Sequence, residues 1–535
     1  MNANANANTK PVVVIGGGPI GLTTALGLVH YGMPVIVLEE DAELSRDTKA
    51  GTLLSRTLEV FERYGVGAEV LSQCLRIDEI GDIDRQSGKT LRSIKTWLLE
   101  DETRYPYVVN IPQHYLEPVL ADALESRAPG ALRMSHKVTG VEQYDDGVTV
   151  SLEGPGGNEE KIDASYVLAC DGGRSAMRKA MNAELIGTTF PERYMLVDLK
   201  VDLDVANARD YPYLAYFSDP DEWMILVRHP EFWRFLFPRK EEGPALSGEE
   251  LAEKAREYVG DVDDVEIVGS YEYSVHARAA ERWRDGRVFL LGDAAHLITP
   301  MWALGLNTGV LDASNLPWRL AWVERGWADE ELLAGYETEQ LPIAMYGSGS
   351  MAEAARDYMS HVSQSIDAMT DHDQANAMTR SLLGVRVDPT GQGRWRMAVG
   401  SEGRESIQVG DRLPDLLVRR GDGTHVFTHN LTRDSAISLL FADVRRRPHL
   451  PDDVDGLRNF VVSRWDAPLD SGLRDRALLD IGGKLQERLK VEDGTVILVR
   501  PDEFIAAIGA SPDDDGVSLY SLMTSPGMTR EGVLQ

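Results

Sequence analysis

Pro11-Val-Val-Val-Ile15 is a short apolar run that breaks at once into Gly16-Gly17-Gly18-Pro19-Ile20-Gly21. A helical-looking segment, Leu22 to Tyr31, follows, then a second apolar run, Pro34-Val-Ile-Val-Leu38, closed by Glu39 and Glu40. The order is strand, GxGxxG, helix, strand, acid. Gly16 permits a tight turn, Gly18 lets a pyrophosphate approach the backbone, and Gly21 lets helix and strand pack closely. Glu39 stands 18 residues after Gly21 (39 − 21), close to the ~20 expected of a carboxylate that binds ribose hydroxyls. The stretch therefore specifies an α/β, Rossmann-like nucleotide-binding unit.

Two further corners repeat the pattern of strand, acid, turn and helix start. Tyr166-Val-Leu-Ala-Cys170 runs into Asp171-Gly172-Gly173-Arg174-Ser175, with Arg178 just beyond. Arg287-Val-Phe-Leu-Leu291 runs into Gly292-Asp293-Ala294-Ala295-His296, then Pro300 and Gly305-Leu306-Asn307. Asp293 at a strand end can accept from the hydroxyls of a polyol, and a helix start at Gly305–Asn307 suits an electron-rich ring.

Bulk properties narrow the class. A chain of 535 residues exceeds one core, so two or three domains are expected. Its 43% hydrophobic content supports globular packing, and a net charge of −31 argues against nucleic acid or anionic membranes as partners. Two cysteines, Cys74 and Cys170, can form neither a disulfide framework nor a cysteine-rich metal site. No apolar run approaches the ~18–20 residues that cross a bilayer. The opening Met1 to Lys10 is polar and lacks the apolar core of a signal peptide. A cytoplasmic location is expected.

Residues 11–185 and 276–385 form the nucleotide-binding domain in this reading, interrupted by residues 186–275. That interruption alternates apolar and polar residues and is rich in aromatics (Tyr211, Tyr213, Tyr216, Phe217, Trp223, Phe232, Trp233, Phe235, Phe237), which predicts an antiparallel sheet. Residues 307 to about 380 read as helical, with Pro317 expected to kink or end the first helix. A polar linker is expected around Arg386 to Gly410. Residues 400–535 alternate strand-like and helical runs, as a separate α/β domain does.

GxGxxG, Asp-Gly and Gly-Asp-Ala-Ala-His in this order resemble the class A FAD-dependent aromatic hydroxylases (flavoprotein monooxygenases) typified by para-hydroxybenzoate hydroxylase. The likeness extends through Ala169-Cys-Asp-Gly-Gly173, His276-Ala-Arg278, Arg287 to His296 and Arg500-Pro-Asp-Glu-Phe-Ile-Ala-Ala507 to the phenol hydroxylase and 3-(3-hydroxyphenyl)propionate hydroxylase members. The resemblance implies an FAD-binding domain of the para-hydroxybenzoate hydroxylase type, an inserted substrate sheet and a C-terminal thioredoxin-like domain. Lacking Cys-x-x-Cys, that last domain is left with dimerisation, hence a homodimer, or with covering the substrate entrance. Carried over residue by residue, Gly16, Gly18, Pro19, Ile20 and Gly21 hold the FAD pyrophosphate, and Glu39, beside Glu40, the ribose. Lys49 stands where the family usually has Arg, and Arg56 and Gln113 match cofactor contacts. Asp171 and Gly172, with Arg174 and Ser175, match the motif linked to both FAD and the nicotinamide cofactor, and Asp293 falls on the ribityl contact. Gly305, Leu306 and Asn307 meet the flavin's pyrimidine edge, and the Pro300 carbonyl faces its reactive carbon. Trp302, Leu304 and Gln340 depart from the family pattern, which usually has a glycine, a polar residue and an arginine there.

The expected chemistry is hydroxylation of a phenolic substrate with NADH or NADPH and O2, through a flavin C4a-hydroperoxide. The cofactor carries the hard steps, and the protein supplies position, electrostatics and dryness. A second GxGxxG unit is not evident, which favours a reductant that binds and leaves. No metal is expected: eleven histidines show no HExxH spacing, and His296 reads as a structural turn residue. A phenol reacts faster as phenolate, so a base or donor is expected from Tyr216, Arg228 or His229, with His276 behind them. Arg228 or Arg234 could meet a substrate carboxylate, and Trp223, Trp233 and Phe235 either line an apolar pocket or pack the core. Baeyer–Villiger or polyketide/quinone oxygenation, and a non-catalytic FAD-binding protein, remain as alternatives. A halogenase is disfavoured, since Trp-x-Trp-x-Ile-Pro does not occur.

Overall fold

The computed structural model describes residues 10–46, 51–203, 211–219, 222–239, 245–260, 262, 264–359, 407–469, 471–509 and 515–524. Lys49, the stretch 360–385 and most of the expected linker (386–406) lie outside them.

β1 (Val12–Ile15), α1 (Pro19–His30) and β2 (Val35–Leu38) form the first right-handed unit, with β1 and β2 parallel from Val12↔Val35 to Ile15↔Leu38. β1 is buried along its whole length, as an all-apolar β-branched run covered on both faces should be. The short β3 (Thr52–Leu53) leads into α2 (Ser55–Arg63), a wholly separate corner of the same domain. β4 (Tyr166–Ala169) then pairs parallel with β1 on the side away from β2.

The chain next builds a large sheet from β5 (Leu185–Lys200), β6 (Leu214–Ser218), β7 (Met224–Arg228), β8 (Trp233–Arg239) and β9 (Glu266–Ala280). It returns through β10 (Val288–Leu290), β11 (His296–Leu297) and the long α3 (Leu304–Glu324), and a later helix, α4 (Gly349–Met359), closes over the junction. The nucleotide-binding sheet is ordered β10-β4-β1-β2, with two-residue strands at each edge. β1 leads to β2 on one side and stands beside β4 on the other, so the strand order reverses at β1/β4. That is where open α/β sheets bind ligands, beyond the carboxyl ends of the strands.

The large sheet is ordered β11-β9-β5-β8-β7-β6, then Glu79–Asp84 and Thr90–Lys95. The last two strands come from the segment the sequence placed in the nucleotide unit; Glu79–Asp84 pairs parallel with β6 and carries the sheet beyond residues 186–275. One face is covered by the helix Gly248–Val259, which packs on Phe217, Met224, Leu226, Trp233, Phe235 and Phe237. Pro317 does not end α3, which continues to Glu324. A Cβ on Gly27 of α1 would meet the Pro317 ring at 3.1 Å, so the absent side chain lets the two helices close at the proline.

The C-terminal domain is a seven-stranded mixed sheet with β12 (Leu417–Arg420), β13 (Ala436–Phe441), β14 (Leu457–Ser463), β15 (Ala477–Leu479), β16 (Val496–Val499) and β17 (Ile505–Gly509). It is fastened to the first domain by buried ion pairs. Glu503 meets Arg56 at 3.0 Å and also Arg63, while Arg412 forks onto Glu59. Arg500 reaches Glu339 at 2.7 Å, and Arg319 meets the same carboxylate at 2.8 Å. No helix among the described residues is long and apolar enough to cross a membrane.

Candidate functional site

The cleft begins where α1 starts. Gly16 has φ +105°, and a Cβ there would stand 2.4 Å from the Cys170 carbonyl oxygen. A Cβ on Gly21 would lie 1.9 Å from the Gly16 oxygen. These two positions exclude side chains for packing reasons, whereas Gly18, the N-cap of α1, faces open space with nothing within 4 Å. No side chain caps the helix, so its first N–H groups and dipole point into the cleft. This is a cradle that a phosphate fits. The Glu39 carboxylate accepts from Gly17 N–H at 2.6 Å and from Asp41 N–H at 2.9 Å, which stiffens the loop and leaves lone pairs for hydroxyls. Glu40 points elsewhere, into a surface pair with Lys137 at 3.3 Å.

Asp171 Oδ2 accepts from Ala176 and Met177 N–H at 2.7 and 3.2 Å, while its buried Oδ1 has no hydrogen-bond partner. Gly172, with φ +73°, makes the turn. Arg178 donates to the Ala294 carbonyl at 2.9 Å and to the Gly173 carbonyl at 2.8 Å, tying the second corner to the third. The third corner is itself clamped. Asp312, wholly buried on α3, accepts from Gly292 N–H at 2.9 Å and faces His296 Nε2 at 2.8 Å. His296 also packs on Trp283 and is thereby built into the turn, with Asp293 left facing the cavity. Neither Arg178 nor Asp312 was assigned a role from sequence. A single acid in an apolar helix carries no spacing signal.

At the ring end, α3 begins at Leu304 without a side-chain cap, and Ala303, Gly305 and Leu306 line the cavity. The Asn307 side chain is fully used. It accepts from Leu54 N–H at 2.9 Å and from the Thr57 hydroxyl at 2.5 Å, and donates to the Thr52 and Ala303 carbonyls at 3.0 and 2.6 Å. It locks β3 and α2 to the start of α3. Gln113 lines the cavity while donating to Glu117 at 2.7 Å. Arg56 does not reach the cleft, since its guanidinium is held between Glu59, Glu503 and the Asp502 carbonyl.

Beyond Pro300 the cavity, about 490 Å³ in all, runs over the second face of the large sheet. Leu214, Tyr216, Ile225, Val227 and Leu236 project into it, and Leu196, Tyr273 and Ile298 complete the walls. The period of two puts Trp233 and Phe235 on the opposite, helix-covered face, and Trp223 is buried beside Tyr194. None of these three lines the cavity. Tyr216 stacks on Trp302 at 5.4 Å, and burial pushes its hydroxyl pKa well up, so it stays protonated. Arg228 turns back onto the His229 carbonyl at 2.6 Å and is absent from the lining. Arg234 does line it but is gripped by Asp198 at 2.8 and 2.9 Å, which neutralises the charge expected for a carboxylate. His229 lies in the lining and is fully buried. A second cavity of about 380 Å³ shares Leu196, Tyr273, Asp293, Ile298 and Pro300 with the first and adds Tyr271 and His276. His276 faces the Thr189 hydroxyl at 3.0 Å, and burial lowers its pKa.

The groups present fit FAD: an open cradle at Gly18, an acid at each of three strand ends, an uncapped helix start and orphaned polar atoms at Asp171 and His229. Of the described groups, Glu59, Asp415 and His429 bring potential metal-ligand atoms within 4.8 Å of one another, away from the cleft, but Arg412 and Arg104 already hold the two carboxylates.

Comparison with known proteins agrees. Residues 9–346 match the family described as FAD binding domain. The 3-(3-hydroxy-phenyl)propionate/3-hydroxycinnamic acid hydroxylase of Burkholderia cenocepacia (strain HI2424) is 34% identical over 345 residues, 64% of this chain and 62% of that protein's length. The protein of the same name from Comamonas testosteroni is 26% identical and aligns over 96% of this chain and 97% of its own. The crystal structure of the flavin-dependent monooxygenase PieE in complex with FAD and substrate superposes with a TM-score of 0.77 at 23% identity, covering 97% of this chain and 98% of that one.

Proposed function

This chain belongs to the FAD binding domain family, and we propose that it is an FAD-dependent monooxygenase that uses NADH or NADPH and O2 to hydroxylate a phenolic substrate. The observation that carries this reading is the apolar cavity that leads from Pro300 over Leu214, Tyr216, Ile225, Val227 and Leu236. A cleft that ended at the cofactor cradle would serve storage or electron transfer; this one continues over an apolar sheet face on which an organic ring can lie. FAD, when bound, supplies hydride acceptance and oxygen activation. The chain's own groups do the rest. Gly18 and the start of α1 bind the pyrophosphate, Glu39 the ribose, and Asp293 the ribityl hydroxyls. The Leu304–Leu306 N–H groups offset negative charge on the ring. The sheet face excludes water, and the protonated Tyr216 hydroxyl can donate to a substrate oxygen. The C-terminal domain fits a docked thioredoxin-like module without redox function, since the chain's two cysteines lie elsewhere.

The second cavity favours a further reading. It adjoins the first across Tyr273, Ile298 and Pro300, so that together they offer more room than one ring needs, and the Asp198–Arg234 pair removes the attraction for an acid. A neutral polycyclic phenol or quinone fits these features better than a phenylpropionate.

The test is a screen of phenolic acids and polycyclic phenols for stimulated NAD(P)H consumption under labelled O2, with product masses. One labelled oxygen on an intact ring supports hydroxylation, and ring expansion supports Baeyer–Villiger insertion. A flavin-loaded protein that oxidises NAD(P)H with none of them contradicts both readings and leaves a non-catalytic FAD protein.

A further inference from the structure

His229 is wholly buried, it lines the cavity, and neither ring nitrogen has a hydrogen-bond partner among the described residues. A buried imidazole without partners is costly, and such a group calls for an explanation, of which a bound ligand is one. Its position is fixed from two sides. The ring packs on Phe232 at 4.7 Å, and a Cβ on Gly51 would stand 2.3 Å from His229 Cε1 and 2.8 Å from Nε2. Gly51 is glycine because the imidazole occupies the space of its side chain. Gly51 precedes Thr52, whose carbonyl accepts from Asn307 in the first turn of α3. Gly18, Asp293, Gly305, Leu306, Thr52, Gly51 and His229 therefore line one and the same cavity. A dinucleotide held at Gly18 and Asp293, with its ring against the start of α3, would share that cavity with His229.

The surroundings decide what the imidazole can bind. Burial lowers its pKa well below the ordinary value, and Arg234, His114 and Arg228 push the same way. Of these, Arg234 is paired with Asp198, and Arg228 is bound to backbone carbonyls. The ring therefore offers one acceptor and one donor, and a neutral acceptor selects an N–H or O–H over an anion.

We infer that His229 contacts the cofactor, accepting the hydrogen bond of the imide N–H on the flavin ring. This rests on the FAD reading above and adds a residue whose side chain, unlike the backbone at α3, can be replaced. The shared chemistry, an acidic X–H donor, could also come from a substrate phenol, so the experiment separates the two sources.

Apo-protein of the wild type, His229→Leu, His229→Asn and Gly51→Ala is titrated with FAD and with 3-methyl-FAD, which lacks the imide N–H; 4-nitrophenol is then titrated into each FAD-loaded protein. For the wild type, methylation is expected to weaken binding about tenfold, the worth of one good hydrogen bond. His229→Leu and Gly51→Ala are expected to bind FAD about tenfold less tightly and to lose little more on methylation. His229→Asn, which keeps an acceptor, is expected to recover part of the affinity. Equal affinity of the wild type for the two flavins overturns the inference, and that arm needs no variant to fold. So does a methylation penalty undiminished in His229→Leu, or His229→Leu that binds FAD normally and loses only 4-nitrophenol, which assigns the residue to the substrate. Wild type that takes up no flavin contradicts the functional reading itself.

Discussion

Trp302 and Ala303 show what single residues contribute. Both adopt left-handed backbone, with φ of 60° and 54°, at the turn that starts α3. For residues other than glycine this costs roughly 1–2 kcal/mol each, so something must hold them there. For Trp302 it is the stack on Tyr216, together with apolar contacts in the cluster that includes Met351, Ala352 and Ala355 of α4. Ala303 is held through its backbone, with its carbonyl accepting from Asn307 and its N–H donating to the Pro300 carbonyl, contacts that a glycine keeps. Ala303→Gly is therefore expected to leave stability unchanged or raise it by up to about 1 kcal/mol. Trp302→Gly should lower it, because the stack is lost along with the strain. Urea unfolding of both variants checks this, and an Ala303→Gly variant less stable than wild type would mean that the methyl group makes an essential contact. The sequence shows the unusual residues at this turn but not their backbone. Likewise it marks Asp293 by its strand-end position, yet gives no sign of Asp312 or Arg178, whose partners lie 20 and 116 residues away.

Sheet strands could be read as strands, but not sorted by face. The apolar–polar alternation expected over residues 186–275 does not hold in β6, β7 and β8, which are apolar on both sides because one face meets the helix Gly248–Val259 and the other the cavity. That is why the sequence leaves Trp233 and Phe235 equally suited to pocket and core. Neighbouring residues on β7 give a direct test. Ile225 faces the cavity and Leu226 the helix. Ile225→Trp should fill the chamber and abolish phenol-stimulated NAD(P)H oxidation, with FAD content and melting temperature little changed. Leu226→Ala should cost about 2–4 kcal/mol in stability and leave the dependence on phenol concentration intact. The reverse pattern would mean the faces are misassigned. Pro317 shows a related limit. Local rules predict a kink or an end there, and the helix runs on to Glu324 with the proline ring packed against Gly27.

The way the whole molecule is held together was hidden, because charged residues read as solvated. Arg56, Glu59, Arg63, Glu339, Arg412, Arg500, Asp502 and Glu503 resemble ordinary surface charges in sequence, yet all are buried or nearly so between the domains. Arg56 matched a cofactor position by motif and instead anchors this interface. Breaking one partner of such a network costs about 3–5 kcal/mol, so Glu503→Gln, which removes the carboxylate charge that Arg56 and Arg63 share, should lower the melting temperature sharply. The network also sets an acid limit. Burial alone would raise the pKa of Glu339, but Arg319 and Arg500 outweigh it and hold it at about 2, against an ordinary 4.5. Its contribution is complete above pH 4.5 and lost as pH falls towards 2. His429 is held at about 4, against 6.5, chiefly by burial; Arg412 and Arg56 add to this, and Asp415 and Glu59 oppose it. The unfolded chain binds that proton first, so stability should fall between pH 6.5 and 4, by about 3 kcal/mol for His429 alone. Denaturant midpoints across that range should fall less steeply in His429→Gln, and parallel curves would refute the assignment.

The α/β core and three cofactor corners were legible because glycines and strand-end acids keep fixed spacing. The substrate side was not, because shape there arises from residues far apart in the chain. Everything rests on the three corners converging on one FAD. The direct measurement is the flavin content of the purified chain, by absorbance before denaturation and by identification of what denaturation releases. The account predicts yellow protein, or apo-protein that becomes yellow with added FAD, at one FAD per chain. Colourless protein that takes up no FAD would contradict it.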